Sequence, residues 1–364
     1  MMIFILIIFA LIILLILFNK RAVPVFLYHQ VNPISSSVSP EIFEEHLKII
    51  KKYNMETITI SEYYNKNINK NSMLLTFDDG YYDNFKYVFP LLKKYNMKAT
   101  IFLNTIYIMD KRENEPEIKD NNTVNLEAIK RYIQNGNANI NQYMSWEEIK
   151  EMYDSGLIDF QAHSHKHMAI FTNTKIEGLT KKDRMEAPEL YLYGELEDNF
   201  PVFAKRGEYS GKAKIVKKKF FNIFKNFYEE NIENKITDKN EILKKCQEFI
   251  DKNSEYFSDE NEAEYKKRIE EDYLENKKLI EKNLGNQVKF FCWPWGHRSK
   301  ETIKILKELG VVGFISTKKG TNSMKPNWDM IRRIELRKYS PEKFKINLLV
   351  ARNLILGKIY GWIS

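Results

Sequence analysis

The stretch "LLTFDDGYYDNF" (residues 74–85) sets the frame for the rest of the chain. It begins as an apolar run typical of a buried parallel strand, and the run ends in Asp78, Asp79 and a glycine. Side chains alternate along a strand, so Asp78 and Asp79 cannot both continue one face. At the turn, one carboxylate can reach a metal ion while the other reaches a water or a substrate. Taken alone, the pattern also fits a solvated turn.

Strands and helices alternate on both sides of this stretch. The segment "SWEEIKEMYDSG" (145–156), for example, opens with the capping-box pair Ser145 and Glu148. This alternation predicts an α/β protein with a mostly parallel sheet. The predicted strands cover 23–29, 55–60, 72–77, 98–104, 157–164, 288–296, 311–317 and 331–337, and the predicted helices cover 39–54, 84–96 (kinked at Pro90), 145–156 and 299–310.

Polar residues follow several of these apolar runs at the point where each run ends. The residues at such positions are His29, Asp78, His163 and Trp295. A (β/α) barrel places its active site at the carboxyl ends of its strands. We therefore expect these residues to share one site.

The segment "DFQAHSHKHMAI" (159–170) contains three closely spaced histidines, His163, His165 and His167. On a helix His163 and His167 would share a face, whereas on an extended strand all three would do so. Two imidazoles and a carboxylate, with one coordination position left open, make a catalytic metal site. Which histidines serve depends on how the chain turns after His163.

The segment "FFCWPWG" (290–296) indicates a third group of site residues. Pro294 and Gly296 end the strand, which places Trp293 and Trp295 near the mouth of a barrel. Both rings suit stacking on a sugar, and a core position is also reasonable for Trp293.

The remaining regions differ in composition from the alternating segments. Residues 174–287 are rich in Lys, Glu and Asn and indicate a charged helical insertion, with a less helical stretch at 189–214 that we interpret as a substrate-side loop. The run "MIFILIIFALIILLILF" (2–18) is uncharged and at the lower length limit for a spanning helix. It lacks an obvious cleavage site, so we interpret 1–19 as a transmembrane signal anchor. Residues 23–173 and 288–364 are then the two parts of the barrel, the second with a C-terminal helix.

Charge and cysteine content exclude few classes of function. The net charge is +8, with Lys and Glu interspersed and no basic stripe, so we expect no nucleic-acid partner. The excess is compatible with an anionic membrane or glycan. Cys246 and Cys292 have no metal-ligand spacing and define no disulfide framework.

Three motifs together resemble a known family. "TFDDG" (76–80), "HSHKH" (163–167, as H-S-x-x-H) and "WPWG" (293–296) match, in order, the first three motifs of the polysaccharide deacetylases, which are carbohydrate esterase family 4 with its NodB-homology domain. The resemblance covers about 23–170 and 288–340. It implies a distorted, incomplete (β/α) barrel, and the "WPWG" form resembles the branch that acts on poly-N-acetylglucosamine.

The resemblance also implies roles for individual residues. The family removes N-acetyl groups from amino sugars with a divalent metal, most often zinc, with cobalt or nickel as alternatives. Asp78 would be the general base, and the backbone N–H of Trp295 would stabilise the oxyanion. By the same resemblance Asp79, His163 and His167 would bind the metal, and Trp293, Trp295 and Tyr81 would bind the substrate.

Two positions depart from the family pattern. Many members carry an arginine two residues before the proline of the third motif, where it orients the base, and here that residue is Cys292. Arg298, Arg332 or Arg333 are candidates to replace it. Many members also use a late histidine as general acid. No histidine follows His297 in this chain, which leaves His297 or His29.

The expected function is metal-dependent deacetylation of a cell-surface or extracellular polysaccharide by a single-pass membrane protein. Lys20 and Arg21 follow the anchor, and the positive-inside rule alone would place the catalytic domain in the cytoplasm. The location of most family substrates favours the outside. The alternatives are a deacylase of lipid-linked sugars at the cytoplasmic face and an inactive glycan-binding relative. Protein partners are unknown.

Overall fold

The computed structural model describes residues 21–34, 38–119, 121–182, 192–195, 197–337 and 340–363. An 8-stranded sheet dominates it, with the strand order β11-β10-β5-β4-β3-β1-β12 and with β2 paired to β3. All pairings in this sheet are parallel. The strands are β1 (Val25–Tyr28), β2 (Glu56–Thr57), β3 (Ser72–Phe77), β4 (Ala99–Leu103), β5 (Ile158–Ala162), β10 (Phe290–Cys292), β11 (Gly313–Ile315) and β12 (Ile334–Glu335).

Helices cover the outside of this sheet, and a smaller unit follows β5. The helices are α1 (Pro40–Lys52), α2 (Ile60–Tyr64), α3 (Phe89–Tyr95), α4 (Asn121–Asn135), α5 (Trp146–Asp154), α6 (Lys219–Asn231), α7 (Lys239–Lys252), α8 (Glu262–Leu284), α9 (Lys300–Glu308), α10 (Pro341–Ala351) and α11 (Leu354–Ile363). The smaller unit adds β6 (Ala169–Leu179), β7 (Pro201–Gly207), β8 (Lys214–Val216) and β9 (Phe257–Asp259), paired as two antiparallel ribbons.

Residues of β3 show how the sheet separates two hydrophobic clusters. Leu75 and Phe77 face the large cluster under the outer helices, whereas Leu74 faces a smaller cluster inside the curled sheet. Because side chains alternate, Thr76 and then Asp78 continue the inner face. This parity determines which of the two adjacent carboxylates enters the barrel.

The sheet curls into a half-barrel, as the sequence predicts. Its two edges approach through a single parallel bridge between Ile315 and Ile331, three residues before β12. The short helix α2 closes the amino-terminal end of the barrel, where Ile60 and Tyr63 join the inner cluster. The α/β class and the incomplete barrel agree with the prediction.

Two local predictions need correction. The predicted strand 55–60 is a strand only at Glu56–Thr57, because Thr59 then caps α2 in a capping box with Glu62. The helix predicted at 84–96 is not α-helical throughout. It begins as a π-helical turn (Asn84–Val88) that continues directly into α3, and Pro90, the predicted position of a kink, is the second residue of α3.

The region predicted as a helical insertion divides into two parts. Residues 169–259 form two ribbons and two helices around their own cluster, which includes Phe203, Phe220 and Phe224. Helix α8, in contrast, contributes Tyr265, Ile269 and other residues to the main barrel cluster. The small unit therefore begins before residue 174, and the barrel resumes at α8, well before residue 288. The sequence predicts a helix at 262–284, but its high charge concealed the contact with the barrel, because the buried residues occupy one narrow stripe.

No helix in the described part of the chain is long and apolar enough to cross a membrane. The predicted anchor at 1–19 lies outside the described residues.

Candidate metal centre and active site

The carboxyl ends of the parallel strands bring the predicted site residues together. Asp78 and Asp79 follow β3, and His163 follows β5. His29 follows β1 and is close enough that its charge lowers the pKa of both carboxylates. Trp295 follows β10, with its ring centroid 4.7 Å from that of His167.

Asp79, His163 and His167 form a compact set of possible metal ligands. The Oδ1 atom of Asp79 lies 3.3 Å from Nε2 of His163 and 3.8 Å from Nε2 of His167. One ligand atom from each residue falls within 4.8 Å of the other two. A carboxylate and two imidazoles are the donor set that suits zinc and similar divalent ions. The residues therefore fit a divalent metal.

The two histidines of this set differ in protonation. Burial alone would lower the pKa of His163, but the charges of Cys292 and Asp78 and the hydrogen bond with Asp79 raise it well above its usual value, so Nε2 carries a proton that a metal would replace. His163 donates from Nδ1 to the backbone oxygen of Cys292 (2.9 Å), which leaves Nε2 directed toward Asp79. Burial lowers the pKa of His167 to about 4, so its ring is neutral near pH 7. Burial alone would raise the pKa of Asp79, but the hydrogen bond with His163 and the charges of the nearby histidines keep it below its usual range.

A tight turn presents Asp79 to this set. Asp79 and Gly80 both have positive φ, 76° and 81°, so the chain turns sharply as soon as β3 ends. The glycine also allows close packing, because a Cβ there would lie 2.9 Å from Cδ2 of Leu103. The turn directs Asp79 toward the histidines and leaves Asp78 on the inner face of the barrel.

The "HSHKH" segment is neither a helix nor a continued strand. Ser164 and His167 adopt positive φ values of 76° and 55°, and the hydroxyl of Ser164 accepts the N–H of His167 (2.9 Å). This turn brings His163 and His167 to Asp79. It directs His165 elsewhere, with Nδ1 2.9 Å from the hydroxyl of Thr105. Metal binding by this set remains a prediction.

Asp272 of α8 holds the outer side of this loop. Its carboxylate accepts the backbone N–H groups of His165 (2.8 Å) and Lys166 (3.0 Å) and the hydroxyl of Tyr209 (2.6 Å). Two adjacent N–H groups on one carboxylate fix the path of the chain between the two candidate ligands. Asp272 is itself buried, so water competes little for these bonds.

Asn276, one turn further along α8, holds the start of the same loop. Its Nδ2 donates to the backbone oxygens of Ser164 (2.7 Å) and Leu103 (2.9 Å) and lies 3.0 Å from the hydroxyl of Thr105. Asp272 and Asn276 are four residues apart and therefore share a face of the helix. Sequence reasoning missed both. The sequence did contain a pattern that could have identified them. Asp272 and Asn276 lie at helical spacing from the apolar residues Tyr265, Ile269 and Tyr273, so all five residues share the buried face of the helix.

Asp78 is held by Arg333 inside the barrel. The guanidinium binds both carboxylate oxygens, at 2.7 and 2.8 Å, and also contacts Sγ of Cys292 at 3.1 Å and the backbone oxygen of Ser316 at 2.9 Å. Both partners are buried. Burial alone would raise the pKa of Asp78, but the charge of Arg333, and after it that of His163, lowers it. Asp78 is therefore ionised near pH 7.

Arg333 is thus the arginine that orients Asp78, a role for which the sequence had offered three candidates. The other two point elsewhere, since Arg298 contacts Sδ of Met330 and Arg332 donates to the backbone oxygen of Lys319. Cys292 takes the place of the family arginine in the sequence, and its small thiol leaves room for the guanidinium to enter from β12.

Trp295 occupies the mouth of the site. Its backbone is left-handed (φ 60°, ψ 4°) and its side chain is 45% exposed. Gly207, at the end of β7, packs against the ring, and a Cβ there would lie 2.6 Å from Cδ1 of Trp295. The small unit therefore reaches the rim of the site through the predicted substrate-side stretch, of which residues 189–191 and 196 lie outside the described residues.

Two residues assigned to substrate binding are instead buried. Trp293 is 1% exposed and stacks on Phe314. It follows Cys292, which faces the inside of the barrel, so its own side chain points to the outer face of the sheet. Tyr81 is also 1% exposed and stacks on Tyr143, because the turn at Gly80 carries it away from the site. Neither ring can contact a sugar without displacing the core. The assignments of Trp293 and Tyr81 are therefore corrected, and Trp295 is the exposed aromatic residue of the three.

The two candidate acids differ in their surroundings. Nδ1 of His297 accepts the backbone N–H of Gly207 (2.9 Å), and burial lowers the pKa of its ring. Nδ1 of His29 lies 3.9 Å from a carboxylate oxygen of Glu335. The charge of His29 contributes to the low pKa of both Asp78 and Asp79, which burial alone would raise. This electrostatic coupling to both carboxylates favours His29.

Comparison with known proteins identifies the family. The family model described as "Polysaccharide deacetylase" matches residues 65–191 and 253–314, slightly more than half of the chain. The chain therefore belongs to the polysaccharide deacetylase family.

Three individual proteins illustrate the similarity. A poly-beta-1,6-N-acetyl-D-glucosamine N-deacetylase of Staphylococcus aureus (strain MRSA252) is 27% identical over 195 residues, which are 47% of this chain and 59% of that protein. YxkH of Bacillus subtilis (strain 168) is 38% identical over 86 residues, 22% of this chain and 31% of its own length. The solved structure of a de-N-acetylase from Aggregatibacter actinomycetemcomitans has a TM-score of 0.56 at 16% identity and covers 89% of this chain and 98% of that one.

These comparisons differ in what they support. The structural similarity at 16% identity supports the fold. The matches to these two relatives span 31% and 59% of the relatives' own lengths.

Proposed function

We propose that this protein is a metal-dependent N-deacetylase that hydrolyses N-acetyl groups of amino sugars in a cell-surface or extracellular polysaccharide. The observation that carries the proposal is the pairing of two carboxylates with different environments. Asp79 faces two imidazoles, whereas Asp78 is ionised beside a buried guanidinium. The relative from Staphylococcus aureus, named as a poly-beta-1,6-N-acetyl-D-glucosamine N-deacetylase, supports this substrate class.

Asp79, His163 and His167 would hold the metal, for which zinc is the first choice and cobalt or nickel are alternatives. A divalent ion at this place supplies Lewis acidity toward an acetyl carbonyl. The protein directs Nε2 of His163 at the site, because Nδ1 donates to the Cys292 carbonyl, and it supplies a neutral ring at His167, whose pKa burial lowers to about 4. Nε2 of His163 would release its proton on metal binding, since nearby charges raise the pKa of that ring.

Asp78 would act as the general base. Its carboxylate takes a proton from the water that attacks the acetyl carbon, and the C–N bond then breaks to give acetate and an amine. Arg333 holds the carboxylate in one orientation through two hydrogen bonds and keeps it ionised. The backbone N–H of Trp295 would donate to the oxyanion, and the exposed ring of Trp295 would stack on a sugar.

The leaving amine requires a proton, and we propose His29 as its donor, with His297 as the second candidate. A matched pair of variants, His29→Gln and His297→Gln, separates them. The true donor's variant should lose kcat and the alkaline limb of its pH profile, whereas the other should retain both. Loss in neither variant would show that another group or a water donates the proton.

We also propose that residues 1–19 anchor the protein in a membrane with the catalytic domain outside the cytoplasm. The apolar run at 2–18 supports the anchor, and the substrate class supports the orientation. Lys20 and Arg21 favour the second candidate function, a deacylase of lipid-linked sugars at the cytoplasmic face. Protease accessibility of the domain on intact cells distinguishes the two orientations.

The central test is acetate release from N-acetylglucosamine oligomers, with and without a chelator. We expect chelation to abolish release and divalent metal to restore it. Asp78→Asn should retain bound metal and lose activity by about 10²–10⁴-fold, because the proton acceptor is removed while Asp79, His163 and His167 remain. A protein that binds metal but releases no acetate from any N-acetylated glycan would instead be a glycan-binding relative.

A further inference from the structure

The last helix, α11, presents its large apolar side chains to solvent. Ile359, Trp362 and Ile363 are 51%, 88% and 70% exposed. Their spacing of three and four residues places them on one face of the helix. Lys358 is the charged residue among the ten of this helix. Contiguous exposed apolar residues of this size ordinarily mark an interaction surface.

The opposite face of α11 is made of glycines and is held tightly against the protein. A Cβ at Gly357 would lie 2.4 Å from Cγ2 of Thr321, and one at Gly361 would lie 2.5 Å from the backbone oxygen of Lys319. A helix on the surface of a soluble protein usually buries its large apolar residues and exposes its polar ones. Here the arrangement is reversed, so the apolar face cannot turn inward without separating the glycines from the loop beneath them.

The apolar run at 2–18 joins the described structure beside this helix. Arg21 forms a β-bridge with Asn353, and the N–H of Ala22 donates to the backbone oxygen of Arg352 (3.0 Å). The side chain of Asn353 accepts the N–H groups of Ile355 and Leu356 and so begins α11. The proposed anchor therefore joins the described structure at the start of the helix that carries the exposed apolar face.

The sequence of α10 and α11 is basic. Residues 340–363 contain Lys343, Lys345, Arg352 and Lys358 but one acidic residue, Glu342. An apolar face with tryptophan and neighbouring lysines is the pattern of a helix that lies in a membrane interface and favours anionic lipids. At ten residues α11 is too short to span a bilayer, which needs about twenty.

We propose that α11 lies in the headgroup region of the membrane, with Ile359, Trp362 and Ile363 inserted among anionic phospholipids. This inference rests on the proposed anchor at 1–19. It also gives the domain an orientation. The chain enters at Arg21, on the amino-terminal side of β1, whereas His29 follows its carboxyl end, up to roughly 26 Å away if the segment is fully extended. The candidate active site then opens away from the bilayer, where a polymer is more accessible than a lipid-linked sugar.

Quenching of tryptophan fluorescence by brominated lipids tests this proposal. The full chain is reconstituted into vesicles of phosphatidylglycerol and brominated phosphatidylcholine, and compared with the same vesicles without bromine. Trp362 and Trp295 are both exposed, one on α11 and one at the site, and so form a matched pair. We expect Trp362→Phe to lose most of the bromine-dependent quenching and Trp295→Phe to retain it.

The other outcomes overturn the proposal in distinguishable ways. Quenching unchanged in Trp362→Phe would show that α11 does not touch lipid, whether it is exposed to water or covered by residues 1–18 or by a second copy of the chain. Quenching lost in Trp295→Phe would place the site against the bilayer. Protein that is extracted from the vesicles by alkaline carbonate would refute the anchor itself. Acetate release, measured separately, bears on the proposed enzyme activity and not on this orientation.

Discussion

Two turns meet at the candidate site, and they are held in different ways. The turn after β3 carries Asp78, whose position and charge are set by one buried ion pair with Arg333. The loop after β5 carries His163 and His167, and hydrogen bonds from α8 to its backbone set its path. The ion pair with Arg333 is an electrostatic support that keeps Asp78 ionised. The hydrogen bonds with α8 are a geometric support that sets the positions of the ring nitrogens of His163 and His167.

The largest effect should come from removing one nitrogen on the loop side. We expect His167→Ala to weaken zinc binding by more than about 100-fold, because it removes a ligand and not merely its support. His165→Asn is the matched control, since the side chain of His165 contacts Thr105. The zinc affinity of this variant should stay near that of the unaltered protein. Metal titration with a competing chelator measures both. An equal loss of zinc affinity in the two variants would contradict the inference that His165 lies outside the metal site.

The next effect should come from the charged support. Arg333→Met removes the positive charge that lowers the pKa of Asp78, so that pKa should rise. A base works only above its pKa, and the acidic limb of the kcat profile should therefore move to higher pH, with kcat lower by about 10–100-fold at neutral pH.

A folding defect must be separated from this effect, because breaking a buried pair can cost about 3–5 kcal/mol of unfolding free energy. Arg333→Lys retains the charge without the two-pronged geometry and should restore the pH profile in part. If both variants fold and keep the original acidic limb, Arg333 does not act on the base.

The geometric support should give a smaller effect. Asp272→Asn keeps the size of the side chain but weakens the bonds to the N–H groups of His165 and Lys166, so zinc affinity should fall by about 10-fold with the pH profile unchanged. Glu271→Gln, on the exposed side of the same helix, is the control and should have no effect. An altered pH profile in Asp272→Asn would mean that the two supports are coupled.

The smallest effect on catalysis should come from Trp293, whose ring is buried in the main hydrophobic cluster and stacks on Phe314. Trp293→Phe should leave KM unchanged and lower the free energy of unfolding by about 1–2 kcal/mol, since the ring packs in the core. Thermal unfolding and KM for an N-acetylglucosamine oligomer check the two parts. A raised KM with unchanged stability would return Trp293 to the substrate site.

Sequence reasoning located the turns better than it located their supports. The apolar runs and the polar residues at their ends predicted the parallel sheet and the grouping of His29, Asp78 and His163, because both signals are local. The incomplete barrel was implied by the family resemblance. Asp272 and Asn276 were missed, since they occupy a charged helix whose partner is about 100 residues away in the chain. Arg333 was one of three candidates, and nothing near it in the sequence distinguished it.

The sequence by itself determined the parallel strands and the fact that Asp78 and Asp79 cannot share one face, because side chains alternate along a strand. It also determined the apolar run at 2–18. The tertiary structure showed that Asp78 continues the inner face and that the apolar side chains of α11 are exposed. The tertiary structure decided that Arg333 and not Arg298 or Arg332 binds Asp78, that Trp293 is core, and that α11 emerges beside Arg21. These outcomes depend on which distant segments pack together, and packing is a property of the whole chain that no local pattern contains.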